Sequence, residues 1–397
     1  MTTNTFPLPR SVVPIPLSAR IQNVIEQALH EQRLVGAVVL VARNCELIYQ
    51  QAAGYADRES ARPMAVDTVF RLASVSKPIV SAAALVLVAQ GRLELDENIG
   101  NWLPDFQPRL ADGRLARITV RQLLSHTAGL GYRFFEADEK SPYALVGVSD
   151  GMDASGISLQ ENLKRIASVS LLYEPGTAWG YSLATDVLGA LIERVYGTSL
   201  NEAIHHLVTG PLGMNDTGFV AGDPQRMATA YVNDAPQPHQ LAEGETVSPF
   251  EGTIGIKYSP ARIFDAQSFP SAGAGMAGTA GDFLRLLEAL RQEGGGLLPK
   301  ELVAEMARDQ TGGLELPNSP GFGFGLGFSV LRDPKLAASP ESAGTWRWGG
   351  AYGHSWFVDR AQGLSMVAFT NTLYEGMCGR FVIELRDAVY DGSEVQR

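Results

Sequence analysis

Apolar residues recur at helical spacing at Ile21, Val24, Ile25, Ala28 and Leu29, which predicts an amphipathic helix ending near Gly36. The period then changes to that of strands: residues 37–42 and 46–51, joined through Asn44 and Cys45, read as an antiparallel hairpin. The chain crosses residues 54–68 to reach 79–90, a run almost wholly apolar yet too short to span a bilayer, which is the profile of a buried central helix. From Leu95 to Ile157 the pattern is broken by Pro104, Pro108, Gly113, Gly129, Gly131 and Gly151, with one short helix expected around 119–124. Leu163 and Ile166 mark another helix. Residues 173–182 turn into a further one, carried by Leu183, Val187, Leu188, Leu191 and Ile192, and Thr198 and Ser199 precede the next.

Residues 221–275 are rich in Pro, Gly and isolated aromatics without a clear period, a segment expected to wall a substrate site. Phe283, Leu284, Leu287 and Leu290 predict one more helix. Residues 321–328 alternate Gly with bulky groups at period two and read as one strand with a bare face against which something packs closely. Strands at 346–348, 355–358 and 364–369 and a closing helix through Phe381, Val382, Leu385 and Val389 complete the chain. Strands therefore gather at both ends with helices between. The expected class is α+β: an antiparallel sheet built from both termini and flanked by helices, with a largely helical insertion, rather than the alternating βα pattern of a parallel sheet. The division expected is 1–95 with 276–397 for the sheet, and 96–275 for the helical, loop-rich part.

With 397 residues, 45% hydrophobic and 19% charged, the chain can bury a large core and is not disordered. A net charge of −11 argues against nucleic acid or an anionic membrane as partner and leaves a small-molecule substrate. Two cysteines, Cys45 and Cys378, are too few for a disulfide framework, and the first ten residues lack the apolar core of a signal peptide. A cytoplasmic location is expected. His205 and His206 are adjacent, which on a helix points them apart, and neither HExxH nor paired CxxC occurs, so no metal or other cofactor is expected.

Ser74 and Lys77 stand three residues apart at the head of the apolar run and so share one helical face, with Pro78 still in the early turns where a missing N–H is tolerated. A serine hydroxyl is a weak nucleophile. An amine within reach supplies a base, and the free N–H groups of a helix start can hold a negative oxygen. An N-cap serine followed by a surface lysine is the bland alternative, but the apolar run behind Lys77 demands a reason for a buried ammonium. Residues 147–151 match GxSxG and make Ser149 a rival nucleophile. That elbow needs a strand before it and a helix after it, and residues 152–156 cannot open a packed helix. His126 and His354 stand alone and read as hydrogen-bonded structural histidines, His354 being the one expected to border a pocket. Tyr181 follows a Pro-Gly turn at the start of a helix, and by itself reads as an anchoring tyrosine.

Together, Ser74-Val-Ser-Lys77, Tyr181-Ser182-Leu183 and Trp348-Gly349-Gly350 resemble the SxxK, Tyr-x-Asn and Lys-Thr-Gly elements of class C β-lactamases and penicillin-binding proteins, in order and approximate spacing. Residues 123–130, 174–176 and the closing Gly-rich strands are also similar, the likeness covers nearly the whole chain, and the GxSxG decoy occurs in the esterase branch. Two departures bear on substrate. Leu183 stands where those enzymes carry an amide, and Trp348-Gly349 where they carry the Lys-Thr that holds a β-lactam carboxylate. With a bulky ring in place of a cation, the sequence most resembles the family VIII carboxylesterases.

The resemblance implies a β-lactamase/transpeptidase-like fold, with the site between the sheet and helical parts. Ser74, Lys77 and Tyr181 are the implied catalytic residues, the backbone N–H groups of Ser74 and Ala351 the oxyanion hole, and Trp348, Gly349, Gly350, Leu183 and His354 the surroundings of the substrate. The implied activity is hydrolysis of short-chain acyl esters through a Ser74 acyl-enzyme. Cleavage of a β-lactam or other amide, acyl transfer to an alcohol, and a non-catalytic binding role are the alternatives, the last usually requiring loss of the nucleophile. Which of Lys77 and Tyr181 takes the proton stays open: freeing an ordinary lysine or tyrosine of its proton near neutral pH costs about 4 kcal/mol, and a helix N-terminus supplies at most about 2 kcal/mol of that.

Overall fold

The computed structural model describes residues 15–390, so the reading of the first ten residues as leaderless lies outside the described residues. The sheet joins the two ends of the chain. Its order is Phe322–Phe324, Ser329–Leu331, Trp346–Gly350, His354–Asp359, Leu364–Thr370, Gly36–Arg43, Glu46–Asp57 and Arg62–Pro63, and every neighbouring pair is antiparallel. The seam is the ladder of Gly36–Arg43 on Leu364–Thr370, with Val39 opposite Ala368. Period-two alternation sends Val38 and Leu40 to one face and Val39 and Val41 to the other, and both faces are covered. Helices Leu17–His30 and Arg380–Val389 close the second face through Ile21, Ile25, Phe381 and Leu385. The first face packs on the main core, where full burial of side chains such as Phe283 and Leu287 of the Ala280–Arg291 helix stabilises by about 1.5–3 kcal/mol each.

At the centre of that core lies the helix Ser76–Ala89, buried at every residue from Ser76 to Leu87. Its apolar residues run all round, which suits a helix enclosed on every side. Around it come the helices Val120–Leu124, Leu159–Ser168, Ala184–Tyr196 and Leu200–Ile204, separated by loops. The arrangement is the α+β one the pattern predicts. Among the described residues no helix is long and apolar enough to cross a membrane, and Cys45 and Cys378 are unpaired.

Two local expectations need correction, and one helix was not foreseen. The first helix stops at His30, not near Gly36, because Gln32 takes a left-handed φ of 57° and the strand already begins at Gly36. Residues 321–328 form no single strand: Phe322–Phe324 and Ser329–Leu331 are separate, with a reversal at Gly325–Gly327 closed by Gly325 N–H donating to the Phe328 carbonyl at 2.8 Å. Gly327 sits at φ 110°, where a Cβ would lie 2.3 Å from Ser81 Oγ, so the expected close packing is against the central helix. A helix at Lys300–Ala307, held by Val303 and Met306, was absent from the periodicity reading because its apolar stripe is only two residues deep.

Candidate active site

Ser74 reaches its position through strain and close packing. The short strand Phe70–Arg71 pairs with Ala277–Gly278, and Leu72 N–H donates to the Met276 carbonyl at 2.8 Å. Ala73 then takes a left-handed φ of 45°, a conformation costing a residue with a Cβ about 1–2 kcal/mol. It opens the 3-10 turn Ala73–Val75, which runs into the central helix. Ser74 therefore sits half-buried on that turn, one residue ahead of Val75, while Lys77 in the first helical turn is fully buried.

Ser74 Oγ accepts two hydrogen bonds, from Tyr181 Oη at 2.6 Å and from Lys77 Nζ at 3.1 Å. Lys77 Nζ also donates to the Gly273 carbonyl at 2.8 Å and lies 4.7 Å from the centroid of the Tyr181 ring. Tyr181 is held from behind. Gly180 N–H donates to the His126 carbonyl at 3.0 Å, Leu183 N–H to the Gly131 carbonyl at 3.1 Å, and the His126 ring packs 4.9 Å from the Tyr181 ring. Burial, with the nearby charge of Lys77, pushes the His126 imidazole well below its ordinary range, so it stays neutral. On the opposite side Trp348, on the strand Trp346–Gly350, packs at a tilt 5.2 Å from the Tyr181 ring and points Nε1 at Tyr181 Oη at 3.4 Å.

Ser74 and Tyr181 lie at the floor of a cavity of about 1100 Å³ walled by Tyr132, Phe134, Phe135, Trp179, Phe250, Phe322 and Trp348, with Lys77 buried just beneath. Pro249, Phe250, Ile256 and Ala274 of the aperiodic 221–275 segment line it. The aromatic walls brace one another: Tyr132 stacks on Phe134, and Phe135 on Phe250. Asp150 fixes their base by accepting from Arg133 N–H at 2.8 Å and Phe134 N–H at 3.0 Å, and burial pushes its carboxyl up to about 8. Arg347 also lines the cavity, but its guanidinium is committed to Glu341 at 3.0 Å.

Of the residues singled out from sequence, Ser74, Lys77, Tyr181 and Trp348 converge, and Gly349 and Ala351 line the cavity beside them. Gly350 does not line it. A Cβ there would meet the Leu72 carbonyl oxygen at 2.4 Å, so this glycine lets the strand lie directly on the nucleophile turn. Leu183 and His354 are corrected outright. Leu183 caps the Ala184–Tyr196 helix and its side chain is fully buried in the main core. His354 Nε2 bonds the Arg71 carbonyl at 2.7 Å, and its ring is enclosed by Phe70 and Phe369. Ser149 is buried away from the cavity lining, donating to Asp153 Oδ1 and accepting Gly151 N–H at 3.1 Å. Sequence reasoning passed over Tyr132, Asp186 and Gly273, which meet around Lys77 Nζ. The signal available for Asp186 was an acid in a helix's first turn, which ordinarily complements the dipole.

A family described as Beta-lactamase matches residues 21–390. Esterase EstB of Burkholderia gladioli is 51% identical over 375 residues, covering 94% of this chain and 95% of that one. Among solved structures, EstCE1, described as a hydrolase with promiscuous acyltransferase activity, superposes with a TM-score of 0.92 at 47% identity, over 94% of this chain and 98% of its own. The unliganded simvastatin synthase of Aspergillus terreus, at 22% identity and a TM-score of 0.74 over 96% of this chain and 99% of that one, shares the fold. The chain is a member of the beta-lactamase family.

Proposed function

We propose that this protein is a serine carboxylesterase acting on small, uncharged, short-chain acyl esters through a Ser74 acyl-enzyme. The observation that carries the reading is a serine oxygen approached by both Tyr181 Oη and Lys77 Nζ at the floor of an aromatic cavity. In this reading Ser74 Oγ attacks the ester carbonyl while its proton passes into the Tyr181–Lys77 pair. The same pair returns a proton to the departing alcohol, and a water molecule then takes the alcohol's place and releases the acid. The developing oxyanion is assigned to the backbone N–H groups of Ser74 and Ala351, donors often worth about 3 kcal/mol each. Similarity to Esterase EstB and EstCE1 supports the ester as substrate class.

Trp348 argues for an uncharged substrate. A carboxylate entering this cavity finds indole where a matching cation would be needed, and Arg347 is already paired, so it loses hydration without compensation. The test compares kcat/KM for C2 to C6 p-nitrophenyl esters with that for benzylpenicillin on one preparation, with Ser74→Ala as blank. Esters are expected to lead, and any β-lactam turnover to be weak. Benzylpenicillin turnover equal to the best ester overturns the substrate assignment. A second reading, acyl transfer to an alcohol, is favoured by the cavity's volume, which leaves space beside a short acyl chain for an apolar acceptor. Added alcohol acceptor diverting the acyl group from acid to ester is its readout. With both cysteines unpaired, the reading keeps a cytoplasmic location.

A further inference from the structure

Asp186 occupies the third position of the Ala184–Tyr196 helix, where an acid is ordinarily solvated and complements the helix dipole. Here it is 1% exposed, and among the described residues neither carboxylate oxygen makes a hydrogen bond of good geometry, although the Ser271 hydroxyl and Gly273 N–H lie close enough to favour its charge. A buried carboxylate so weakly hydrogen-bonded is costly unless a positive charge faces it. Lys77 faces it from the central helix, Tyr132 from the aromatic wall, Arg262 from the turn Pro260–Phe264, and the Ser271 hydroxyl and Gly273 N–H from the neighbouring segment. Arg262 donates to the Asp153 and Phe269 carbonyls, and its charge acts on the carboxylate less than that of Lys77 does. Lys77 is only partly spoken for: two acceptors, Ser74 Oγ and the Gly273 carbonyl, take two of an ammonium's three N–H groups.

The position of Gly273 brings these groups together. A Cβ on that residue would lie 2.8 Å from Asp186 Oδ2, 3.5 Å from Lys77 Nζ and 3.4 Å from Tyr132 Oη. Carboxylate, ammonium and phenol thus border one small space that a side chain at residue 273 would fill. Burial raises the Asp186 carboxyl above its ordinary range, and the Ser271 hydroxyl and then the positive charge of Lys77 draw it back down.

We propose that Asp186 is a positioning residue whose buried carboxylate is the counter-charge of Lys77, fixing the ammonium between Ser74 and Gly273. It touches no substrate and acts through the lysine. The proposal rests on the Ser74, Lys77 and Tyr181 reading above and deepens it, since the carboxylate then sets how readily the cluster gives up the proton that the nucleophile must lose.

Two measurements test it. Asp186→Asn keeps the side chain's shape and removes its charge. It is expected to lower kcat roughly ten- to a hundredfold, the loss typical of one strong charge-assisted contact, with KM changed less than threefold. It also shifts the acidic limb of the kcat/KM profile to lower pH by about one unit or more, because a proton beside fewer negative charges leaves more easily. A purely structural role moves stability and not that limb. The second measurement is a melting-temperature cycle of wild type, Lys77→Met, Asp186→Asn and the double variant at pH 5 and pH 8. Lys77→Met strands a buried carboxylate and is expected to be more damaging at pH 8, with the double variant recovering much of the loss. An unmoved acidic limb or additive melting losses overturn the proposal. Should Asp186→Asn fail to fold, Lys77→Met alone decides, a deficit equal at both pH values being the contrary result. Hydrolysis surviving in Ser74→Ala sinks the nucleophile reading instead, and the melting cycle still judges the charge pair.

Discussion

Replacing Gly350 by alanine probes how closely the strand Trp346–Gly350 must lie on the nucleophile turn. Gly350 needs no left-handed backbone, so the effect of the methyl group is steric. Its Cβ would lie 2.4 Å from the Leu72 carbonyl oxygen and 3.1 Å from both Val75 Cγ2 and His354 Cδ2. Reaching ordinary van der Waals separation requires the strand and the turn to part by about 1 Å, and a misplacement of about 1 Å at a catalytic constellation can cost about a hundredfold in rate. The two assigned oxyanion donors lie on either side of that gap, Ser74 on the turn and Ala351 at the strand's end. A fall in kcat/KM of about a hundredfold, most of it in kcat, is therefore expected for p-nitrophenyl butyrate. Overpacking of this kind costs about 1–3 kcal/mol of stability, so melting should drop by no more than a few degrees. Gly222→Ala is the control, because a Cβ there meets nothing within 4 Å. A folded Gly350→Ala protein with kcat/KM within threefold of wild type would show that this contact does not hold the oxyanion site together.

Lys77→Ala and Tyr181→Phe should each lower kcat by orders of magnitude, and the double variant should be little worse than the poorer single one, since both groups address the same Ser74 oxygen; additive losses mean separate proton paths. Acid sensitivity is expected from His354, whose enclosed imidazole is lowered to about 4 by burial against an ordinary value near 6.5. The folded state then binds fewer protons than the unfolded one between those values, so stability is present above about pH 6.5 and is lost as pH falls toward 4, by about 3 kcal/mol from this residue. Urea unfolding of wild type and His354→Gln across that interval measures it, and parallel pH dependences refute the assignment.

The sheet was legible because strands buried on one or both faces advertise themselves by alternation or by unbroken apolar runs, and the antiparallel seam follows from where they fall in the chain. Ser74 and Lys77 were legible because helical spacing alone puts them on one face. Side-chain direction was not. His354 and Leu183 lie close in sequence to site residues, yet the strand pleat and the helix cap turn them into the core. The Gly-rich run at 321–328 misled because glycine marks a tight reversal as well as a bare strand face, and only the packing on Ser81 distinguishes the two. Asp186 and Tyr132 were hidden because their significance comes from convergence on Gly273, across segments far apart in the chain.

The central claim is that Ser74, and not the serine of the GxSxG sequence, carries the acyl group. Labelling with a fluorophosphonate, followed by intact mass and peptide mapping, tests it directly. One phosphonyl group per chain on the peptide containing Ser74, absent in Ser74→Ala and unchanged in Ser149→Ala, is the expected result. Label on Ser149, or labelling and hydrolysis that survive in Ser74→Ala, contradicts it.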